Sequence, residues 1–446
     1  MNSKLNLSIL FTGILVTFLS CQEPEEKDNR SLTLSVIESD LTSALLSLKT
    51  QELQLPASLQ LTRNGEPVQS FTLHQADTTL SETGLNPALT YSWQALLKNG
   101  EKTVKTSNVA SGKTMDTTSH NFIWNVETIG YANSNLTCGV IINENDMWVG
   151  GTIYPDSASY EDDVKYGLSH WDGIKWTPEI VTARWFPDNP DIKGPVRVSG
   201  MTYTNRHKLL VTTGLVLLEK EASNFIELAV DTWDEKGFGN IWGNDENDLY
   251  IYGVNGGLSH YNGTVLTQIP TNTTLDIQDI HGDYNPKTKE YELLALASRS
   301  LQKEGNLLLK INGQTVTPLS LTGMDDYSKD ELWFTQGSHY WLVGGNSFYK
   351  KSLNDSHWTI NNIYPFSNWY VADINGWKQN DLIITLHDSH LLHFNGSTWK
   401  DFKDELNLAG LAVGEIYIKD DNILIIGQEF SIGYARGIVI RGKRIR

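Results

Sequence analysis

The sequence predicts an all-β protein: a small sandwich followed by a seven-bladed β-propeller that an N-terminal strand closes. Three observations carry this reading. Aromatic residues make up 10% of the chain and 36 of its 446 residues are glycine, which suits strands and tight turns better than helices. Short alternating apolar segments fill residues 31–118. From residue 120 onward one turn motif returns every 41 to 50 residues, the length of a propeller blade.

Composition excludes several classes. Lys and Arg total 35 against 53 Asp and Glu, a net charge of −18. Nucleic acid is therefore excluded as a partner, because its phosphates need a basic footprint. Hydrophobic residues at 39% and charged residues at 20% suffice to bury cores over most of the chain. Two cysteines cannot make a disulfide scaffold.

Residues 1–20 read as a secretory signal peptide. Lys4 supplies the positive n-region, and Leu7 to Phe18 is apolar but too short for a membrane span of about 20 residues. Phe18-Leu19-Ser20-Cys21 resembles the lipobox of bacterial lipoproteins, with Phe18 where Leu is usual. That resemblance implies cleavage before Cys21 and acylation of its thiol and new amine. Several acyl chains make a stable anchor where one is marginal. Residues 21–30 are polar and acidic, a flexible tether. An acidic stretch behind a lipidated Cys resembles the export signal of surface lipoproteins in some Gram-negative bacteria. The expected location is the outer membrane, exposed at the cell surface, with the lipid anchor as the only membrane contact.

Residues 31–118 are expected to form the sandwich. Leu32–Ile37, Ala44–Leu48, Leu59–Leu61, Phe71–Leu73 and Tyr91–Leu97 are its apolar segments, and Asn64-Gly65 and Asn99-Gly100 suit hairpin turns. Tyr91, Trp93 and Ala95 share one face by the period-two rule. Leu85-Asn86-Pro87-Ala88-Leu89-Thr90-Tyr91 resembles the tyrosine corner of fibronectin type III domains, which implies a fibronectin type III-like sandwich serving as a spacer. Gly112-Lys113-Thr114 lacks the upstream Gly of a phosphate loop, since Ser107 stands there.

Residues 120–446 hold the propeller. Trp171-Asp172-Gly173, Tyr261-Asn262-Gly263, Ile311-Asn312-Gly313 and Phe394-Asn395-Gly396 each follow an apolar strand, and a large apolar residue often follows four positions after the Asn or Asp. Degenerate copies are expected at Glu221, Asn354 and Arg441-Gly442, which brings the count to seven. A second marker opens a strand before the turn: Asn145-Asp146, Asn247-Asp248, Asn380-Asp381 and Asp421-Asn422. Too little chain follows Arg441-Gly442 for a full outer strand. Asn121 to Ile129, with Phe122, Trp124 and Val126 alternating, is expected to complete the last blade and remove an exposed sheet edge.

As a whole the sequence resembles a family of bacterial outer-membrane lipoproteins with a fibronectin type III-like module and a seven-bladed propeller. Members are often auto-named glucosyl transferase or hydrolase.

No His-Glu-x-x-His, Gly-x-Ser-x-Gly or complete phosphate loop is present, so no catalytic residue, metal ligand or cofactor is assigned. The Ser169 to Trp176 turn resembles the Asp box of sialidases with Asp172 displaced by one position, and that box is a structural turn. His170, His260 and His393 recur at one blade position, which points to strand packing rather than metal ligation. Cys138 begins an apolar strand and is read as a buried thiol. Glu161-Asp162-Asp163 reads as a solvated loop. Asp156-Ser157-Ala158, like Asp77-Thr78-Thr79 and Asp116-Thr117-Thr118, resembles a short O-glycosylation acceptor. Paired carboxylates for glycoside hydrolysis stay open among 53 acids, because their spacing across a cleft is not readable from sequence.

Binding is better motivated. The long, dissimilar loops between repeats carry exposed aromatics beside polar groups, which suit sugar faces or protein hot spots. The candidate binding residues are Tyr160, Trp185, Trp233, Asp234, Trp369 and Arg436. The expected function is a lipid-anchored, non-catalytic cell-envelope protein whose propeller face binds a glycan or protein partner. The alternative is a carbohydrate-active enzyme with acids on that same face.

Overall fold

The computed structural model describes residues 29–230, 239–285, 290–299, 305–324, 329–335, 339–345, 347–351, 357–362, 370–431 and 434–445. The lipidation candidate Cys21 and the binding candidates Trp233, Asp234 and Trp369 lie outside the described residues. Two compact units emerge. Among the described residues, one gathers positions 29–34 with Leu48–Thr78 and Trp93–Val109; the other gathers Ser35–Ser47, Thr79–Ser92 and positions 110–445.

Residues 31–113 form two sheets. One has strands Ser31–Ser39, Ser43–Gln51 and Asp77–Thr83; the other orders Glu66–Leu73, Ala57–Arg63, Thr90–Asn99 and Lys102–Thr106, with Ala110–Lys113 also on Thr90–Asn99. Tyr91, Trp93, Ala95 and Leu97 alternate into the core as the period of two demands. Asn64 and Gly65 both take positive φ, the hairpin conformation that Asn-Gly favours. The Tyr91 hydroxyl accepts a hydrogen bond from Asn86 N at 2.8 Å.

Seven four-stranded sheets follow, each antiparallel and in chain order until the last. Their first strands are Asn135–Asn143, Gly200–Tyr203, Asn240–Asp245, Asp276–Asn285, Glu331–Phe334, Val371–Lys378 and Leu411–Lys419. We call these sheets blades 1 to 7. Each blade touches the next along these inner strands, blade 3 reaching blade 4 through its second strand, and blade 7 touches blade 1, so the sheets form a closed ring. Seven apolar clusters hold it, one between each pair of successive blades. This explains why the second strands read as unbroken apolar runs. In Asp381–Leu386, Leu382 and Ile384 face blade 5 while Ile383 faces blade 7.

Blade 7 closes as expected, with one correction. Phe122–Ile129 pairs with Tyr434–Arg444 as the fourth strand. Arg441-Gly442, however, is not a turn. It lies inside an eleven-residue strand opposite Asn125 and Trp124. Glycine is needed there because a Cβ on Gly442 would come within 2.2 Å of the Trp124 ring. Phe122 and Trp124 pack on Phe402, but Val126 is exposed on the outer edge.

The recurrent sequence signatures meet in space. Oδ1 of Asp172, Asn262 and Asn395 accepts the N–H groups two and three residues ahead, closing each hairpin. The Asn145, Asn247 and Asn380 side chains press on Gly173, Gly263 and Gly396, whose positive φ the turn requires. The recurrent histidines take the neighbouring Asp: His170 to Asp146 at 2.9 Å, His260 to Asp248 at 2.7 Å and His393 to Asp381 at 2.8 Å. They tie second to third strands, a packing role.

Candidate functional site

The short turns occupy one face of the ring, leaving the longer connections to the opposite, loop face. The first blade's long connection is not all loop. Ser157–Glu161 forms one helical turn whose N-cap is Asp156, which accepts from Ser159 N at 2.8 Å. Between blades 1 and 2, Thr182–Phe186 and Asn189–Pro195 pair as a separate hairpin. Its Arg184 binds Glu227 on the outer strand of blade 2 at 2.6 Å. Trp185 lies over Gly194 with half its surface exposed.

Two of the sequence candidates, Tyr160 and Arg436, lie on segments that Asn133 links where blades 7 and 1 meet. The Tyr160 hydroxyl accepts from Asn133 Nδ2 at 2.8 Å, and Asn133 N donates to Ala435 O, beside Arg436. Tyr154 stands perpendicular to Tyr160 at 5.4 Å between centroids, and Tyr131 flanks it at 6.2 Å. Tyr154 is buried and donates to Asp163; burial first, and then that bond, push its pKa up to about 12. Arg436 pairs with Glu429 at 2.6 Å, and Gln428 donates to Asn135 at 2.7 Å. Trp185 lines no part of this cluster.

Beside it opens a cavity of about 310 Å³, lined by Asn135, Gln428, Tyr370, His387, Glu331 and Glu415 among others. Glu331 and Glu415 also line an axial cavity of about 260 Å³, with Asp279 and Asp373 at its wall. A third, of about 540 Å³, continues from Asn375 and Tyr417 toward the turn face.

Sequence reasoning missed these axial acids. They occupy one position in four successive blades, each before an apolar residue: Asp279-Ile280, Glu331-Leu332, Asp373-Ile374 and Glu415-Ile416. Aligning the repeats on their inner strands rather than on their turns would have exposed the pattern. Their first task is structural. Asp279 Oδ2 accepts from Leu332 N in the next blade at 3.0 Å, and Asp373 Oδ2 accepts from Ile416 N in the next blade at 2.5 Å. Tyr417 donates to Glu415.

The low-polarity setting disfavours ionisation. Burial pushes Glu415 up to about 7. Burial also raises Asp279 to about 7, against hydrogen bonds from Leu332 and Ile280. Burial and the surrounding carboxylates raise Glu331 and Asp373 well above their usual range. Nearby His281 is held down to about 4 by burial. No group of three or more His, Cys, Asp or Glu among the described residues is arranged to hold a metal ion.

Ring and channel define the class: a β-propeller with an acid-lined axis and a tyrosine-bearing rim. No protein-family model and no curated protein matches the chain. Solved structures do. YCF48 bound to D1 peptide superposes with a TM-score of 0.54 at 13% identity, covering 72% of this chain and 95% of that one. Virginiamycin B lyase from Staphylococcus aureus, an inactive form with quinupristin, gives 0.52 at 11%, covering 73% and 100%. YCF48 from Cyanidioschyzon merolae gives 0.51 at 12%, covering 71% and 98%. At these identities the likeness shows a propeller-like fold and no more.

Proposed function

We propose that the chain is a lipid-anchored, non-catalytic binding protein of the bacterial cell envelope, whose loop face takes a protein or glycan partner. The observation that carries this is the seam of blades 7 and 1, where the exposed Tyr131 and Tyr160 stand near Asn135 and Gln428, which line an open cavity. That a propeller of similar fold, YCF48, is described with a bound peptide supports a partner on such a scaffold. The lipobox-like Cys21 and the acidic tether support placement at the outer membrane, facing outward. The Tyr91 to Asn86 bond supports a fibronectin type III-like sandwich in residues 31–118 as the spacer, with the propeller in 120–446.

The axial acids favour a second reading, glycoside hydrolysis with Glu331 and Glu415 at the throat. Two carboxyls do converge on a cavity, and raised pKa values suit a general acid. That chemistry also needs an ionised partner. Here all four axial acids are pushed toward the neutral form, and two are committed to backbone N–H groups of the next blade. Binding is the better reading.

The test is a binding screen of residues 31–446 against glycan and peptide arrays, with products assayed in parallel. Saturable binding without turnover is expected. Release of reducing ends, abolished by Glu331→Gln, would replace the first reading with the second. Cys21→Ser is expected to release the full-length protein from membranes, and unchanged partitioning would refute the anchor.

A further inference from the structure

The seam of blades 7 and 1 has a chemical character that narrows its ligand. Tyr131 and Tyr160 leave 43% and 40% of their surface in solvent, whereas their neighbour Tyr154 is buried. The Tyr160 hydroxyl accepts from Asn133 and keeps its own O–H to donate, so the side chain offers a ligand its ring and one donor. Tyr154 packs against Tyr160 and fixes its tilt.

The supporting backbone is set in advance. Gly130 and Asn133 both take positive φ, Tyr131 N donates to Tyr154 O, and Asn133 N donates to Ala435 O. Such a platform need not be ordered when a ligand arrives, which lowers the cost of binding.

Polar groups stand around the rings. Asn135 and Gln428 spend one amide N–H and one amide oxygen on each other, and both line the adjoining cavity. Arg436 is held by Glu429 at 2.6 Å and keeps 38% of its side chain exposed.

We infer that this seam is a carbohydrate site in which a neutral pyranose ring stacks on Tyr131 and Tyr160, and its hydroxyls bond Asn135, Gln428 and Arg436. The inference rests on the binding reading above and names its ligand class. A sugar ring offers apolar C–H faces to an aromatic ring and a fringe of hydroxyls to amides and a guanidinium. Anionic ligands are disfavoured, because the chain carries a net charge of −18 and Asp330 lines the adjoining cavity.

The test uses the mature chain and neutral hexasaccharides as probes: laminarihexaose, cellohexaose, xylohexaose, mannohexaose and maltohexaose, followed by calorimetry. At least one is expected to bind saturably. Tyr160→Ala and Tyr131→Ala should each weaken it tenfold or more. Tyr160→Phe, which keeps the ring and removes one donor, should weaken binding less than Tyr160→Ala. Ile174→Ser, on the turn face, is the unchanged control, and circular dichroism verifies the fold of every variant. Binding by none of the probes overturns the carbohydrate assignment, as does binding that survives both alanine variants. A peptide from an array that binds and is lost in Tyr160→Ala would overturn the ligand class alone. No ligand of either kind would remove the binding reading with it.

Discussion

At the scale of single residues, burial decides which of the repeated contacts matter. The three His–Asp pairs have one geometry but different surroundings. His393 and Asp381 expose 0% and 2% of their side chains, against 31% and 36% for His170 and Asp146. Removing one partner of a buried pair strands the other, whereas an exposed pair contributes little. Asp381 also receives Arg444, which keeps Asp421 as a second partner, so its loss strands chiefly His393. Asp381→Ala is therefore expected to cost about 3–5 kcal/mol in urea unfolding. Asp146→Ala should cost about 1 kcal/mol or less. Equal costs at the two sites would refute the ranking. Gly442→Ala is a steric case. Its Cβ would meet the Trp124 ring, and overpacking of this kind costs about 1–3 kcal/mol.

At the scale of elements, what could be read from the sequence was whatever local chemistry repeats. Asp-Gly and Asn-Gly turns and Asn-Asp strand starts were legible because each performs its task within a few residues. The Arg441-Gly442 pair misled because Gly there answers to Trp124, some 300 positions away in the chain, rather than to a turn. Asp279 and Asp373 were silent for a similar reason: their partners are backbone N–H groups of the next blade. The hairpin at Thr182–Pro195 sits between blades and so escaped a search for repeats.

One element also carries a pH prediction. The segment leading into the closing strand is tied to blade 6 by Thr118 N to Asn395 O, Asn380 Nδ2 to Asp116 O, and His120 Nδ1 to His393 Nδ1 at 2.7 Å. His393 bonds Asp381 through Nε2, so the two rings can share a proton at Nδ1 but cannot both be charged and keep that bond. Burial, then His393 and Lys400, lower the pKa of His120, with Asp381 opposing. A base whose folded pKa is lowered binds its proton more readily when unfolded. Its stabilising contribution is present above the unfolded value near 6.5 and is lost as pH falls. Amide exchange in Phe122–Ile129 should therefore accelerate, relative to the intrinsic rate, between pH 7.5 and 5. His120→Gln should blunt that change, and an identical pH response in the variant would refute the latch.

For the whole molecule, the ring closes around a place where charge is unwelcome. Asp279, Glu331, Asp373 and Glu415 converge on one axial cavity, and burial raises all four. The sign of the consequence is opposite to the usual acid denaturation. An acid whose folded pKa is raised binds more protons folded than unfolded across the interval between the two values. Its contribution is therefore complete below about 4 and declines as pH rises through about 7. Net repulsion in a chain of charge −18 acts in the same direction, so wild type alone cannot separate the two. Neutral isosteres can. In Asp279→Asn/Glu331→Gln the axial pair no longer titrates, while the surface charge is untouched. The urea midpoint of wild type should fall from pH 5 to pH 8 more steeply than that of the double variant. Parallel slopes would place the pH dependence at the surface and leave the axial acids as neutral braces between blades. A flatter slope in the variant would show that ring closure is linked to protons held at the axis, near the mouth that borders the proposed sugar site.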